Sequence, residues 1–208
     1  MSKITPMVFV VDDDVSVRES LEALIETAGW RTKTFATALD FMDNRSDTSP
    51  SCLVLDVSLP GLSGLDLQQR LGDRRGLPII FITGRGDIPM SVQAMKAGAV
   101  EFLTKPFSDE VLLAAIRRAL ESSSTALDRE SALDKLKRAY ALLSRRERQV
   151  MTCVVSGRLN KQVGSELGIS EITVKAHRGQ VMRKMNADSL ADLVRMAAAL
   201  DLPVGPQA

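Results

Sequence analysis

The chain has 208 residues, of which 45% are hydrophobic and 25% charged, with a net charge of +1; this makeup excludes disordered, collagenous and membrane-spanning classes and suits an ordinary globular protein. The near-neutral total hides an asymmetry, because residues 1–121 carry 13 Lys/Arg against 17 Asp/Glu whereas residues 122–208 carry 14 against 9. An acidic half joined to a basic half predicts two domains, the second of which meets a polyanion.

Met7-Val8-Phe9-Val10-Val11 is an apolar run that predicts a buried strand, and it ends in Asp12-Asp13-Asp14. Val17, Leu21, Leu24, Ile25 and Ala28 then recur at helical spacing, with Gly29 as the stop. Trp30 to Phe35 reads as a strand, Leu39, Phe41 and Met42 mark a short helix, and Asp47 to Ser51 is a polar loop. Leu53-Val54-Leu55-Asp56 is the next buried strand, followed by the turn signal Pro60-Gly61. Leu65, Leu67 and Leu71 predict a helix that begins near Ser63-Gly64. Pro78 to Thr83 is a fourth strand, Gly84-Arg85-Gly86-Asp87 a loop, and Met90 to Ala97 a helix ended by Gly98. Val100 to Leu103 is the fifth strand, and Ser108 to about Leu120 the fifth helix, with Ser108 at its N-cap. Strand and helix alternating in this way predict an α/β fold with a doubly wound parallel sheet.

That placement puts Asp12, Asp13, Asp56, Thr83 and Lys105 at or just past the carboxyl ends of strands, the edge where ligands gather in open α/β sheets. Three carboxylates packed together repel unless a cation offsets them. Hard oxygen donors with few protein carboxylates suit Mg²⁺, which keeps waters and often shares its shell with a phosphate. Lys105 and Thr83 would hold phosphoryl oxygens, and Asp56 is the natural nucleophile, since carboxylates form aspartyl phosphates. The plainer alternative has Asp12 to Asp14 capping the first helix and Lys105 as a solvated surface lysine. His177 is the sole histidine, so a His-rich metal site or a Ser-His-Asp triad does not fit. Cys52 and Cys153 lie in different halves among apolar neighbours, which predicts buried free thiols in a reducing compartment. The apolar run at Met7 is too short for a leader, and the expected location is cytoplasmic, with no membrane partner.

Residues 5–121 resemble the receiver domain of bacterial two-component response regulators, which has a flavodoxin-like fold. The matching pieces are Val10-Val11-Asp12-Asp13, Leu55-Asp56 with Leu59-Pro60-Gly61-Leu62-Ser63-Gly64, Ile82-Thr83-Gly84, and Phe102-Leu103-Thr104-Lys105-Pro106-Phe107. The resemblance implies that Asp56 accepts phosphate from the phosphohistidine of a sensor histidine kinase. It implies Mg²⁺ on Asp12, Asp13, Asp56 and the backbone carbonyl of Ser58, with Lys105 on the phosphate. Thr83 would follow the phosphoryl group and Phe102 would be the switch aromatic, although by itself Phe102 reads as a core residue. The Lys105-Pro106 bond is expected to be cis.

From Glu121 the composition shifts to Ser122-Ser123-Ser124-Thr125 and then to a charged, Ala/Leu-rich run. Leu133, Leu136, Tyr140 and Leu143 recur at spacings of three and four, and no Pro or Gly intervenes. The linker 122–143 is therefore read as largely helical, with Asp128 to Ala141 as its helix, continuous with the fifth helix or preceded by a flexible stretch.

Residues 144–208 form the second domain. Ser144-Arg145-Arg146-Glu147 is a capping-box pattern, and Val150, Met151, Val154 and Val155 continue that helix face to Gly157. Asn160 to Leu167 is a short helix stopped by Gly168, and Ser170 starts a longer one reaching about Met185. Helix, glycine-containing turn and helix are the helix-turn-helix signature, whose second helix enters the major groove N-terminus first. A fourth helix opens at Ser189.

Residues 144–200 resemble the all-α LuxR-type effector domain, on Arg146-Glu147-Arg148-Gln149-Val150, Gly157 to Val163, Leu167-Gly168-Ile169-Ser170 and Thr173-Val174-Lys175-Ala176-His177. Together with the receiver, this is similar to regulators of the FixJ type, some of which control the catabolism of aromatic hydrocarbons such as styrene or toluene. The resemblance implies that Lys175 and Ala176 face bases and that Thr173 and Arg178 lie near phosphates. Gly179 stands where some relatives have a base-contacting lysine. Arg183 and Lys184 would add salt-sensitive phosphate attraction. For each basic residue the alternative is a solvated helix face, and His177 reads as a packed residue. The fourth helix, with Leu193, Val194, Ala197, Ala198 and Leu200, would pair two protomers on a two-fold-symmetric site.

The expected protein is a phosphorylation-controlled transcription activator that binds promoter DNA as a homodimer and works with RNA polymerase. It is not an enzyme beyond assisting its own phosphorylation and dephosphorylation. Two alternatives are a Mg²⁺-dependent phosphatase or phosphotransferase using Asp56, and a DNA-binding protein indifferent to phosphate.

Overall fold

The computed structural model describes residues 5–44, 49–72, 76–84 and 88–203. The expected loop over Asp47 to Ser51 lies partly, and the loop around Arg85 to Asp87 wholly, outside the described residues. The chain folds as two compact units, 1–128 and 129–208.

The first unit alternates strand and helix: β1 (Met7–Val11), α1 (Val15–Thr27), β2 (Arg31–Phe35), α2 (Ala38–Asn44), β3 (Ser51–Asp56), α3 (Gly64–Leu71), β4 (Ile79–Thr83), α4 (Ile88–Lys96), β5 (Glu101–Thr104) and the start of α5 (Asp109–Ala141). The sheet is five-stranded in the order β2-β1-β3-β4-β5, with every pairing parallel. The continuous apolar runs follow from burial on both faces. Phe9, Val11, Leu53, Leu55 and Phe81 point into one core, while Val8, Val10, Cys52, Val54, Ile80 and Ile82 point into the other. Both cysteines are free and buried, and burial in apolar surroundings pushes the Cys52 thiol well above its ordinary range.

Element ends shift by a residue or two from the sequence reading, for local reasons. Trp30 stays with the end of α1, its N–H donating to the Ile25 carbonyl at 3.3 Å. Pro78 has no N–H for the ladder, yet its carbonyl accepts from the Leu53 N–H at 2.9 Å, so β4 starts at Ile79. Helix α4 starts two residues early, with Pro89 in its first turn where a missing N–H costs nothing. Asp14 is the N-cap of α1, accepting from the Ser16 N–H at 2.8 Å, which leaves Asp12 and Asp13 free of that duty.

Helix α5 runs unbroken for 33 residues. Within the first unit it is tied down by Ser123, which is fully buried. Its Oγ accepts from the Ser51 N–H at 3.0 Å and donates to the Gly76 carbonyl at 2.8 Å, satisfying the first residue of β3. Its last turns belong to the second unit, where Leu136, Ala139 and Tyr140 pack on the core. The second unit continues with α6 (Arg145–Val155), α7 (Asn160–Leu167), α8 (Glu171–Met185) and α9 (Leu190–Ala199) around Val150, Met151, Val163, Val174, Val181 and Leu193.

Replacing Ser123 leaves a buried N–H and a carbonyl without this partner. Ser123→Ala is expected to cost the first unit about 1–3 kcal/mol, read by chemical denaturation, and to speed amide exchange at Ser51.

Candidate functional site

The parallel register sets the site. Val11 pairs with Leu55, so Asp12 and Asp56 leave adjacent strands side by side. Thr83 pairs with Thr104, which places Lys105 just past the end of β5. Asp12, Asp56 and Thr83 are all buried. Between the two carboxylates stands Lys105: its Nζ donates to Asp12 Oδ2 at 2.7 Å and to Asp56 Oδ1 at 3.1 Å. The remaining carboxylate oxygens accept from the backbone, Asp12 Oδ1 from the Asp14 N–H at 3.0 Å and Asp56 Oδ2 from the Ser58 N–H at 2.6 Å. Burial pulls the Lys105 ammonium downward, but its hydrogen bonds to Asp12 and Asp56 and their charges outweigh that, and the net shift is upward. Lys105 therefore stays protonated, and two buried anions share one cation.

The other predicted residues stand around this triad. Asp13 is exposed. Among the described residues no group of three or more His, Cys, Asp or Glu is gathered closely enough to hold a metal ion. The two buried carboxylates nevertheless fit a hard cation: both present oxygen, and one ammonium leaves them with excess negative charge. The Thr83 carbonyl accepts from the Lys105 N–H at 2.7 Å. Phe102 is half-buried on β5, its ring 6.2 Å from that of Phe81. The Lys105-Pro106 bond is cis, as expected.

Two supporting roles escaped the sequence reading, that of Arg18 and that of Gly64, which entered it only as a motif residue and a helix start. Arg18 on α1 donates through Nη1 to the backbone carbonyls of Asp12 at 2.7 Å and Asp13 at 2.9 Å, clamping the acidic loop. Gly64, at the start of α3, packs so tightly that a Cβ there would lie 2.4 Å from the Asp56 carbonyl oxygen. Neither has a periodic signal; the glycine beside the N-cap Ser63 was the one visible hint.

In the second unit, α7, the turn Gly168-Ile169-Ser170 and α8 form a helix-turn-helix. Gly168 has φ 66°, and a Cβ on Gly164 would come 2.7 Å from the Ile169 carbonyl, so glycine at 164 lets the turn close on α7. Ser170 caps α8 by accepting from the Thr173 N–H at 3.1 Å. The buried face of α8 is Val174, Val181 and Met185, which leaves Lys175, Ala176, Gly179 and Arg183 exposed. Lys175 Nζ lies 3.5 Å from Glu171 Oε1, an exposed pair that is easily given up. Thr173 and Ser170 share a hydroxyl hydrogen bond of 2.8 Å, and Arg178 Nη1 donates to Asn160 Oδ1 at 3.4 Å. His177 is half-buried.

Lys184 departs from expectation. Its Nζ donates to Glu147 Oε2 at 2.7 Å and to the Leu142 carbonyl at 3.3 Å, so it is engaged within the unit. Glu147 also completes the capping box with Ser144. In α9, Leu193 and Ala197 are buried in the core, leaving Ala198 exposed and Val194 and Leu200 half-buried.

The family model described as "Response regulator receiver domain" matches residues 8–117, and that described as "Bacterial regulatory proteins, luxR family" matches residues 141–197. The chain is 50% identical over 197 residues to Nodulation protein W of Bradyrhizobium diazoefficiens, covering 94% of this chain and 87% of that protein. It is 46% identical over 195 residues to the response regulator protein TmoT of Ectopseudomonas mendocina, covering 93% and 89%. The low-resolution structure of the response regulator StyR superposes with a TM-score of 0.83 at 47% identity, covering 93% of this chain and 98% of that one.

The hydrogen bond from Lys184, then that from the Ser144 backbone, hold the Glu147 carboxyl at about 2, below its ordinary 4.5. A carboxyl depressed on folding contributes stability that is complete above about 4.5 and is lost as pH falls through about 2. Glu147→Gln is expected to lower the stability of the second unit by about 1–3 kcal/mol at neutral pH. The difference from the parent should shrink as pH drops through that window, read by thermal unfolding at a series of pH values.

Proposed function

The chain belongs to the two-component response regulators that join a receiver domain to a LuxR-type DNA-binding domain, and on that footing we propose that phosphorylation of Asp56 controls its hold on promoter DNA. Regulation of transcription is the function of this family, with a sensor kinase upstream and a promoter downstream. The observation that carries the assignment to Asp56 is the Lys105 ammonium bonded to both Asp12 and Asp56 at the sheet edge.

A carboxylate oxygen of Asp56 attacks the phosphorus of the kinase phosphohistidine; the P–N bond breaks and the imidazole leaves with its electron pair. Asp12 and Asp56 would hold Mg²⁺, with Asp13 and the Ser58 carbonyl closing on it as it binds, and the ion would supply positive charge against the phosphoryl oxygens. The adduct brings roughly −1.5 to −2 charges and strong acceptor oxygens. Lys105 turns from the carboxylates to those oxygens, a charge-assisted contact. The Thr83 hydroxyl follows, and Phe102 turns into the space beneath it. Arg18 keeps the acidic loop in register while Lys105 moves.

Pairing is the output. Ile88, Val92 and Met95 form an exposed apolar stripe on α4, at one-turn spacings, which supports a homodimer through this face on phosphorylation. Two helix-turn-helix units then read a symmetric site, with Lys175, Ala176 and Gly179 toward the bases and Thr173 and Arg178 toward phosphates. The bound dimer activates transcription with RNA polymerase in the cytoplasm. Among the described residues no helix is long and apolar enough to cross a membrane. Catalysis is confined to the receiver's own phosphorylation and dephosphorylation.

Incubation with acetyl phosphate and Mg²⁺ is expected to add one phosphoryl group by intact-mass measurement, and Asp56→Ala to abolish the gain. Persistence of the gain in that variant, or steady turnover of phosphomonoesters, contradicts the proposal.

A further inference from the structure

Helix α8 carries a large apolar residue on its exposed face that the fold does not use. Ile172 is 80% exposed, one residue into the helix, and takes no part in the core of the second unit. A β-branched apolar side chain is a poor choice for a solvated helix surface, since it loses rotamer freedom there and gains no burial. Ile172 also heads a stripe. With Lys175, Ala176 and Gly179 it sits at i, i+3, i+4 and i+7, the residues that share one side of a helix, and Arg183 extends the same line. The opposite side, Val174, Val181 and Met185, is buried.

The chemistry of that stripe is selective. Its leading three turns hold a single cation, Lys175, between two apolar side chains and a glycine. Gly179 is not required by the fold: its φ is not positive, and a Cβ there would meet nothing within 4 Å. Glycine in an exposed helix interior costs about 1 kcal/mol relative to alanine, a cost that makes sense where another molecule must approach the helix closely. The basic balance of residues 122–208 and the exposed Lys175 and Arg183 make a polyanion the complementary occupant. In the major groove the one apolar group at a base edge is the C5-methyl of thymine, and the groove receives the N-terminal end of the reading helix first.

We propose that Ile172 is a specificity residue that packs on a thymine C5-methyl, so that each half-site carries a thymine beside the base that Lys175 faces. The inference rests on α8 being the reading helix, and it adds a thymine requirement at the leading end of that helix.

The test uses the full chain, treated with acetyl phosphate and Mg²⁺, to select from a random-sequence duplex pool. Each thymine of the selected duplex is then replaced singly by deoxyuridine, which removes only the methyl group. The parent protein is expected to lose about three- to five-fold in affinity at one position per half-site, the equivalent of one methyl group returned to water. Ile172→Ser, which folds because the side chain is exposed, is expected to bind the thymine and deoxyuridine duplexes equally and to relax selection at that base pair alone. A deoxyuridine penalty of the same size in Ile172→Ser, or none at any position in the parent, overturns the proposal and leaves Ile172 as a protein-contacting residue. Lys175→Ala separates the two layers. Loss of the base preference opposite Lys175 there, with an unchanged thymine response in Ile172→Ser, rejects only the role of Ile172. Retention of the whole consensus, or no enrichment from the pool, rejects α8 as the reading helix and the proposal with it.

Discussion

The structure of the first unit turns on one half-buried cation shared by two buried carboxylates. Asp12 and Asp56 are nearly inaccessible, and carboxylates so placed are costly unless paired and fully hydrogen-bonded. Lys105 meets that demand with contacts of 2.7 and 3.1 Å, and backbone N–H groups take the remaining oxygens. A parallel sheet alone brings these residues together, since their separations in sequence are 93 and 49. Connection of β1, β3 and β5 through helices puts all three ends on one edge, and Arg18 and Gly64 fix the loops that leave it. An arrangement satisfied by a single mobile ammonium is also one that a new anion can reorganise, because Lys105 has a flexible stem and can follow the larger charge.

The second unit repeats the theme for a different purpose. Glu147 and Lys184 join the start of α6 to the end of α8, and the same carboxylate closes the capping box. This pair holds α8 against α6. It also engages Lys184 within the unit. What remains exposed on α8 is Glu171, Ile172, Lys175, Ala176, Gly179 and Arg183.

The strands and the site edge were legible because strands buried on both faces read as unbroken apolar runs, and their ends fall on Asp12, Asp56, Thr83 and Lys105. The capping box at Ser144 and the helix starts at Ser63, Ser170 and Ser189 were legible too, since a helix start is a local pattern. What the sequence concealed was contact between distant positions. Ser123 sat in a serine-rich stretch that disfavours helix, yet it is the buried link between α5 and the start of β3. Lys184 read as a phosphate contact because its partner Glu147 lies 37 residues away. Leu193 and Ala197 were grouped with a pairing face although helical phase turns both into the core. Arg18 and Gly64 act on backbone atoms, which no side-chain pattern records.

The central claim is that charge arriving at Asp56 is felt at α8. Its most direct test is the affinity of the full chain for a selected DNA duplex, measured by fluorescence anisotropy with and without acetyl phosphate and Mg²⁺, in the parent and in Asp56→Asn. The account predicts that phosphorylation tightens binding in the parent and leaves Asp56→Asn unchanged. Equal affinity of the phosphorylated and unphosphorylated parent, with the phosphoryl group confirmed by mass, would contradict it.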